Sequence, residues 1–397
     1  MAPRPAEIAV VYLSGLAQGV ALVTFPALGG VLTSPRLYGL SASRYGALFL
    51  PLVVLAIIAS SLSPRLASRV GMKWVLVGGL CANVVSMGVL VLSQRVTGRP
   101  DAAYGALLVA TAALGAGFGA TLTALNTYVQ TLFPTRTEAA LPALHAFLGT
   151  GTTLAPVLAA VFMRGTAWWL LPSGVALALL GLVAASLTQR LRAASDARGP
   201  ASIRAAFPPR FARRLWVYAG AVALYGTCET LFGNWATIYL HGDAGVSAYW
   251  ADVALAAFWA MVTAGRIGAA AVSAWVPETG IYRALPVLVL AAFVAIPRVG
   301  GATAGVVAFG FAGLACSAFF PLSISFAEDE LSGWAATASG TLVAVYMVGY
   351  GIGAYGVGAA RDAGHLTLSA IYTAAAVLAA GMAVLAVLVT RSSGASR

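Results

Sequence analysis

Residues 217–240, VYAGAVALYGTCETLFGNWATIYL, form a stretch long and apolar enough to cross a bilayer, with Glu229 near the middle. A carboxylate at bilayer depth is costly and faces a protein interior or a water cavity. Glu7, Asp101, Glu138, Asp196, Asp243, Asp252, Glu278, Glu328, Asp329, Glu330 and Asp362 lie in loops or near the ends of apolar runs. Glu229 therefore stands apart. It reads as a coupling or binding group, or as a hydrogen-bonded pin between two helices.

The rest of the chain sets the same solvent. Of its 397 residues 60% are hydrophobic and 9% charged, with a mean hydropathy of +0.89. One core cannot bury that much apolar surface, so lipid must face much of it. The apolar runs are continuous and do not alternate, which selects helices over a barrel. The net charge of +11 is nearly all arginine, with Lys73 the only lysine. In a membrane chain such an excess reports loop topology and not nucleic-acid binding. Cys81, Cys228 and Cys316 lie in apolar runs without metal-ligand spacing and read as small packing residues. No cleavage-type region precedes the first run, so that run is expected to be retained.

Twelve spans are expected, at residues 8–32, 45–62, 74–92, 103–132, 141–163, 167–187, 217–240, 251–276, 282–296, 302–327, 334–360 and 366–390. The predicted fold is all-α: twelve transmembrane helices in two pseudo-symmetric six-helix bundles. The bundles cover residues 1–187 and 215–397, and a basic linker, 188–214, joins them. With both termini inside, fifteen of the 23 basic residues fall on the cytoplasmic side and seven on the other. That bias predicts cytoplasmic termini and a cytoplasmic, headgroup-facing linker. The halves also share short patterns. Gly15-Leu16-Ala17-Gln18 matches Gly226-Thr227-Cys228-Glu229, and Leu114-Gly115-Ala116-Gly117 matches Phe309-Gly310-Phe311-Ala312. Duplicated halves place a binding site near the membrane midplane.

Three features give the chain a resemblance to the major facilitator superfamily over essentially its whole length. The segment 64–73, PRLASRVGMK, is similar to the family's G-x-x-x-D-R-x-G-R-R gating loop. Arg69, Gly71 and Lys73 fit, while Pro64, Ser68 and Met72 stand where the family has Gly, Asp and a basic residue. The fifth span, GTGTTLAPVLAA at 149–160, resembles the family's G-x-x-x-G-P-x-x-G-G helix, with Gly151 and Pro156. Small residues there allow close helix approach, and the proline removes a backbone bond. Asn126 to Gln130, His145 to Gly149, Glu229 and Gly265-Arg266 together look most like the fucose/glucose permease branch. Members of that branch carry acids on spans 1 and 4, where this chain has Gln18 and Asn126.

The resemblance implies secondary transport by alternating access, with a sugar or similar polar solute. Glu229 is the expected coupling or binding group, with a proton, or else sodium, as coupling ion. Asn126 and Gln130, four apart on one helical face, and Gln18 suit a hydroxylated solute or serve as interhelical hydrogen bonds. His145 is a candidate proton relay. Arg266 is a candidate partner for Glu229 or for an anionic solute, or snorkels to the surface. Asn234, Trp235, Trp259 and Tyr350 are candidates for lining the site; the aromatic ones can stack on a solute or simply pack. No phosphate-binding loop, catalytic set or metal spacing is visible, so neither an enzyme nor a cofactor is expected. Partners are the solute, the ion and the lipid bilayer, with no nucleic acid, and the chain is expected as a monomer. Its Ala/Arg-rich, Lys-poor usage points to a bacterial inner (plasma) membrane. Two other readings stay open: proton-coupled drug or metabolite efflux, and a non-transporting sensor or assembly partner.

Overall fold

A computed structural model describes residues 4–163, 167–189, 191 and 209–392. Every regular element among them is helical. In chain order these are α1 Pro5–Ala27, α2 Gly29–Thr33, α3 Ala42–Ala47, α4 Phe49–Val70, α5 Met72–Ser93, α6 Pro100–Leu132, α7 Thr137–Met163 and α8 Leu170–Thr188. There follow α9 Pro209–Ile238, α10 Ala248–Val272, α11 Glu278–Ala295, α12 Ala302–Cys316, α13 Phe319–Glu330, α14 Ala335–Gly364 and α15 Leu368–Ser392. Paired by short breaks (α1 with α2, α3 with α4, α12 with α13), they make twelve transmembrane helices.

Eleven of these stretches are long and apolar enough to cross a membrane among the described residues. The one that falls short is α9, which holds residues 217–238 of the opening sequence. The expected apolarity is thus corrected, and burial explains why. All residues from 225 to 240 are buried in protein. A helix wrapped by other helices does not meet lipid and can carry Thr227, Glu229, Thr230 and Asn234.

The chain divides into two compact units. One holds Met1–Leu40 and Ala47–Ile203, the other Ser41–Gly46 and Arg204–Arg397. In the first, α1 packs on α7, α4 on α6 and α5 on α8. In the second, α9 packs on α14, α10 on α12 and α11 on α15. These are the same span pairings, first with fifth, second with fourth, third with sixth. The short sequence matches follow them. A methyl on Gly15 would meet Leu144 of α7, and one on Gly226 would meet Tyr346 of α14. Gly115 lies against Leu52 of α4 and Gly310 against Met261 of α10.

Three boundaries depart from expectation. The segment read as the gating loop is mostly helix: Pro64 to Val70 complete α4 and α5 begins at Met72. Only Gly71 turns the chain, at φ 88° and ψ 149°, a conformation open to glycine. The tenth span is broken between Cys316 and Phe319. Finally, α9 starts at Pro209, so Arg210, Arg213 and Arg214 of the expected linker are helical. Linker residues 190 and 192–208 lie outside the described residues.

Candidate functional site

Glu229 is 4% exposed and sits where α9, α12 and α14 converge. The Tyr225 hydroxyl, one turn earlier on α9, lies 2.7 Å from its Oε1. The Tyr346 hydroxyl, from α14, donates to its Oε2 at 2.5 Å. Tyr225 also reaches the Cys316 carbonyl, at the end of α12, at 2.8 Å. The helices come this close because small residues separate their backbones. Any side chain on Gly226, Gly349 or Gly353 would strike the facing backbone. Thr227 adds a hydrogen bond across the same seam, to the Gly349 carbonyl at 3.1 Å. Aromatic rings wall the carboxyl. Tyr225 stacks on Phe319 at 5.5 Å between centroids, and Tyr346 meets Phe320 at 4.8 Å. The two side chains that touch the carboxyl oxygens are both uncharged phenols.

Asn234 lies beyond this cage on α9, 2% exposed. Its side-chain amide donates to the Tyr350 hydroxyl at 2.9 Å, and its backbone carbonyl accepts from the Tyr45 hydroxyl, also at 2.9 Å. Trp235 is fully buried, edge-on to Tyr45 at 5.2 Å. Trp259 of α10 packs over Gly233. The indole N–H groups of both tryptophans are buried without an acceptor among the described residues. The second unit thus gathers Glu229, Asn234, Trp235, Trp259 and Tyr350 around one helix. Among the described residues no ion pair joins Arg266 to Glu229. The Arg266 Nε donates to the Ser317 carbonyl at 3.1 Å. The reason is local: Pro321 has no N–H to offer four residues on, so the guanidinium supplies the missing donor.

The first unit holds the remaining expected residues. Gln18 is fully buried and accepts from Asn83 of α5 at 2.7 Å, while its own amide N–H group lacks a partner among the described residues. Asn126 is half-buried, its side-chain oxygen without a partner among the described residues, and Gln130 is exposed on the same helix. His145 is half-buried on α7. Gly151 lies directly against the Leu16 carbonyl of α1, and α7 continues through Pro156. Arg69 is exposed at the end of α4. Lys73 reaches the C-terminus of α8, donating to the Leu187 carbonyl at 2.9 Å and the Gln189 carbonyl at 2.8 Å. A lysine there satisfies orphan carbonyls and complements the helix dipole.

A family model for the Major Facilitator Superfamily matches residues 8–354. The chain belongs to the Major Facilitator Superfamily. It is a multi-pass membrane transporter and not an enzyme. Solved superfamily structures agree at the level of fold. The nucleoside transporter NupG is 16% identical, over 97% of this chain and 99% of that one, with a TM-score of 0.77. The fucose:proton symporter FucP of E. coli is 16% identical, over 97% and 98%, with a TM-score of 0.62. A D-xylose-proton symporter is 14% identical, over 96% of each chain, with a TM-score of 0.70. No curated protein sequence matches the chain.

As a superfamily member the chain departs from the pattern at Ser68, whose hydroxyl bonds the Arg65 carbonyl at 2.8 Å, a local helix contact. Sequence reading missed Tyr225, Tyr346 and Asn83. Tyr225 carried a usable signal, standing four residues before Glu229 on one helical face. Tyr346 shares a face with Tyr350 in the same way. Asn83 is a lone amide in an apolar run, the same kind of signal as Gln18. Asp252 was read as a span-end residue; it is 2% exposed, and its Oδ2 has no partner among the described residues. Glu229 is therefore not alone among buried carboxylates, although Asp252 lies only about one turn into α10.

Proposed function

We propose that the chain is a proton-coupled secondary transporter of a sugar-like or nucleoside-like solute, and that Glu229 carries the coupling proton. The observation that carries this reading is the cage. A carboxyl buried at membrane depth, bonded to two phenols and, among the described residues, to no cation, is the kind of group that marks a proton pathway. Uncharged hydrogen-bonding groups nearby, with Asn234 and the indole N–H groups of Trp235 and Trp259, suit a polyhydroxylated solute. The named relatives that share the fold move a nucleoside, fucose and xylose.

The test is a thermal-shift screen of the purified protein against fucose, xylose, nucleosides, amino acids and lipophilic cations. At least one sugar or nucleoside should stabilise the wild type in a pH-dependent way, and Glu229→Gln should remove that pH dependence. Stabilisation by lipophilic cations alone would replace this reading with efflux. We further propose a bacterial plasma membrane location with both termini cytoplasmic, on the arginine bias. A C-terminal reporter that works only outside the cytoplasm should stay silent; activity would reverse the orientation.

A further inference from the structure

We propose that Tyr225 is a positioning residue that transmits the protonation state of Glu229 to the break in the tenth span. The proposal rests on the reading that Glu229 takes up and releases a proton. A phenol carries one hydrogen. Tyr225 nevertheless has two acceptors in reach, Glu229 Oε1 at 2.7 Å and the Cys316 carbonyl at 2.8 Å. A carbonyl can only accept, so the two contacts cannot both be full hydrogen bonds when Glu229 is a carboxylate. The charged acceptor then takes the hydrogen, being the stronger one. Cys316, the last residue of α12, loses its donor.

Adding one proton resolves the conflict. The carboxyl O–H donates to the Tyr225 oxygen, Tyr225 turns its hydrogen to the Cys316 carbonyl, and Tyr346 goes on donating to Oε2. One proton is bound, one hydroxyl rotates, and every group has a partner. The carbonyl that gains the bond lies at the discontinuity between α12 and α13, beside the Ser317 carbonyl held by Arg266. The charged and titratable groups around the carboxyl are Tyr225 and Cys228 of α9, Tyr346 and Tyr350 of α14, Cys316 of α12 and Arg266 of α10. Tyr225 is the one among them hydrogen-bonded both to Glu229 and to the broken span, among the described residues.

The experiment uses the full chain in lipid nanodiscs and two readouts across pH. Infrared difference spectra follow the protonated-carboxyl band of Glu229, assigned by its loss in Glu229→Gln. Amide hydrogen exchange, corrected for its intrinsic pH dependence, follows residues 316–322. In the wild type, exchange there should slow about fivefold as the carboxyl band appears, the effect of one typical net hydrogen bond. Glu229→Gln, whose amide can donate to Tyr225, should be slow at every pH. Tyr225→Phe should be fast at every pH while its carboxyl band still titrates. Exchange that ignores the carboxyl titration in the wild type, or keeps its pH dependence in Tyr225→Phe, overturns the proposal and leaves Glu229 as coupling group. A carboxyl band that never titrates overturns both.

Discussion

Gln18 and Glu229 occupy matched positions in the two units, one an amide and one an acid. Gln18 is bound to a single amide, Asn83, with the rest of its polar capacity unspent. Removing one partner of a buried pair leaves the other unsatisfied, whereas removing both is far less costly. Asn83→Leu alone should therefore destabilise the protein by about 1–3 kcal/mol, and Gln18→Leu/Asn83→Leu by less, read by thermal melting in detergent. A double variant as unstable as the sum of the singles would sink this account of the pair. Glu229 was legible from the sequence because one carboxylate in an apolar run is conspicuous. Its cage was not, because Tyr346 and Cys316 reach it only through long-range packing. Asp252 does lie near a span end, and its burial was not legible because position along a helix does not say which neighbours cover a side chain.

Helix seams impose a second constraint. Gly19 and Gly151 face each other across α1 and α7, each against the other helix's backbone. Gly151→Ala should cost about 1–3 kcal/mol through overpacking. Gly174→Ala, on α8 with open space around it, should be neutral or mildly stabilising. Equal melting temperatures for the two variants would contradict the close seam. Lys73 makes a different end-of-helix contact. Lys73→Met should lower stability by about 1 kcal/mol by uncapping α8. An unchanged melting temperature would remove that role. The glycine motif was readable as a packing surface from its small residues and its likeness to the family's fifth-span helix. The capping role of Lys73 was not, because it joins residues far apart in the chain, and the family pattern suggested gating.

Across the whole molecule, composition decided the class and the repeated span pairings decided the architecture. Apolar run lengths gave twelve helices, since bilayer thickness sets helix length. They did not reveal that α9 is the least apolar, because burial among other helices is invisible in a hydropathy profile. The second unit is further tied at one end by Glu330. Its carboxylate pairs with Arg214 at 2.5 Å and accepts from Tyr218 at 2.8 Å, while Arg214 also donates to the Leu388 and Val389 carbonyls. Glu330→Gln should loosen three helices at once and cost about 1–3 kcal/mol in a melting experiment; no change would mean the knot is ornamental.

The account turns most directly on whether Glu229 couples proton flow to solute flow. Purified wild type and Glu229→Gln, reconstituted in liposomes, would be given an inward proton gradient and labelled fucose, xylose or nucleoside. The wild type should accumulate at least one of these above equilibrium and lose that accumulation with a protonophore, while Glu229→Gln should do no more than equilibrate it, indifferent to the gradient. Accumulation by Glu229→Gln with the pH dependence of the wild type would contradict the central claim.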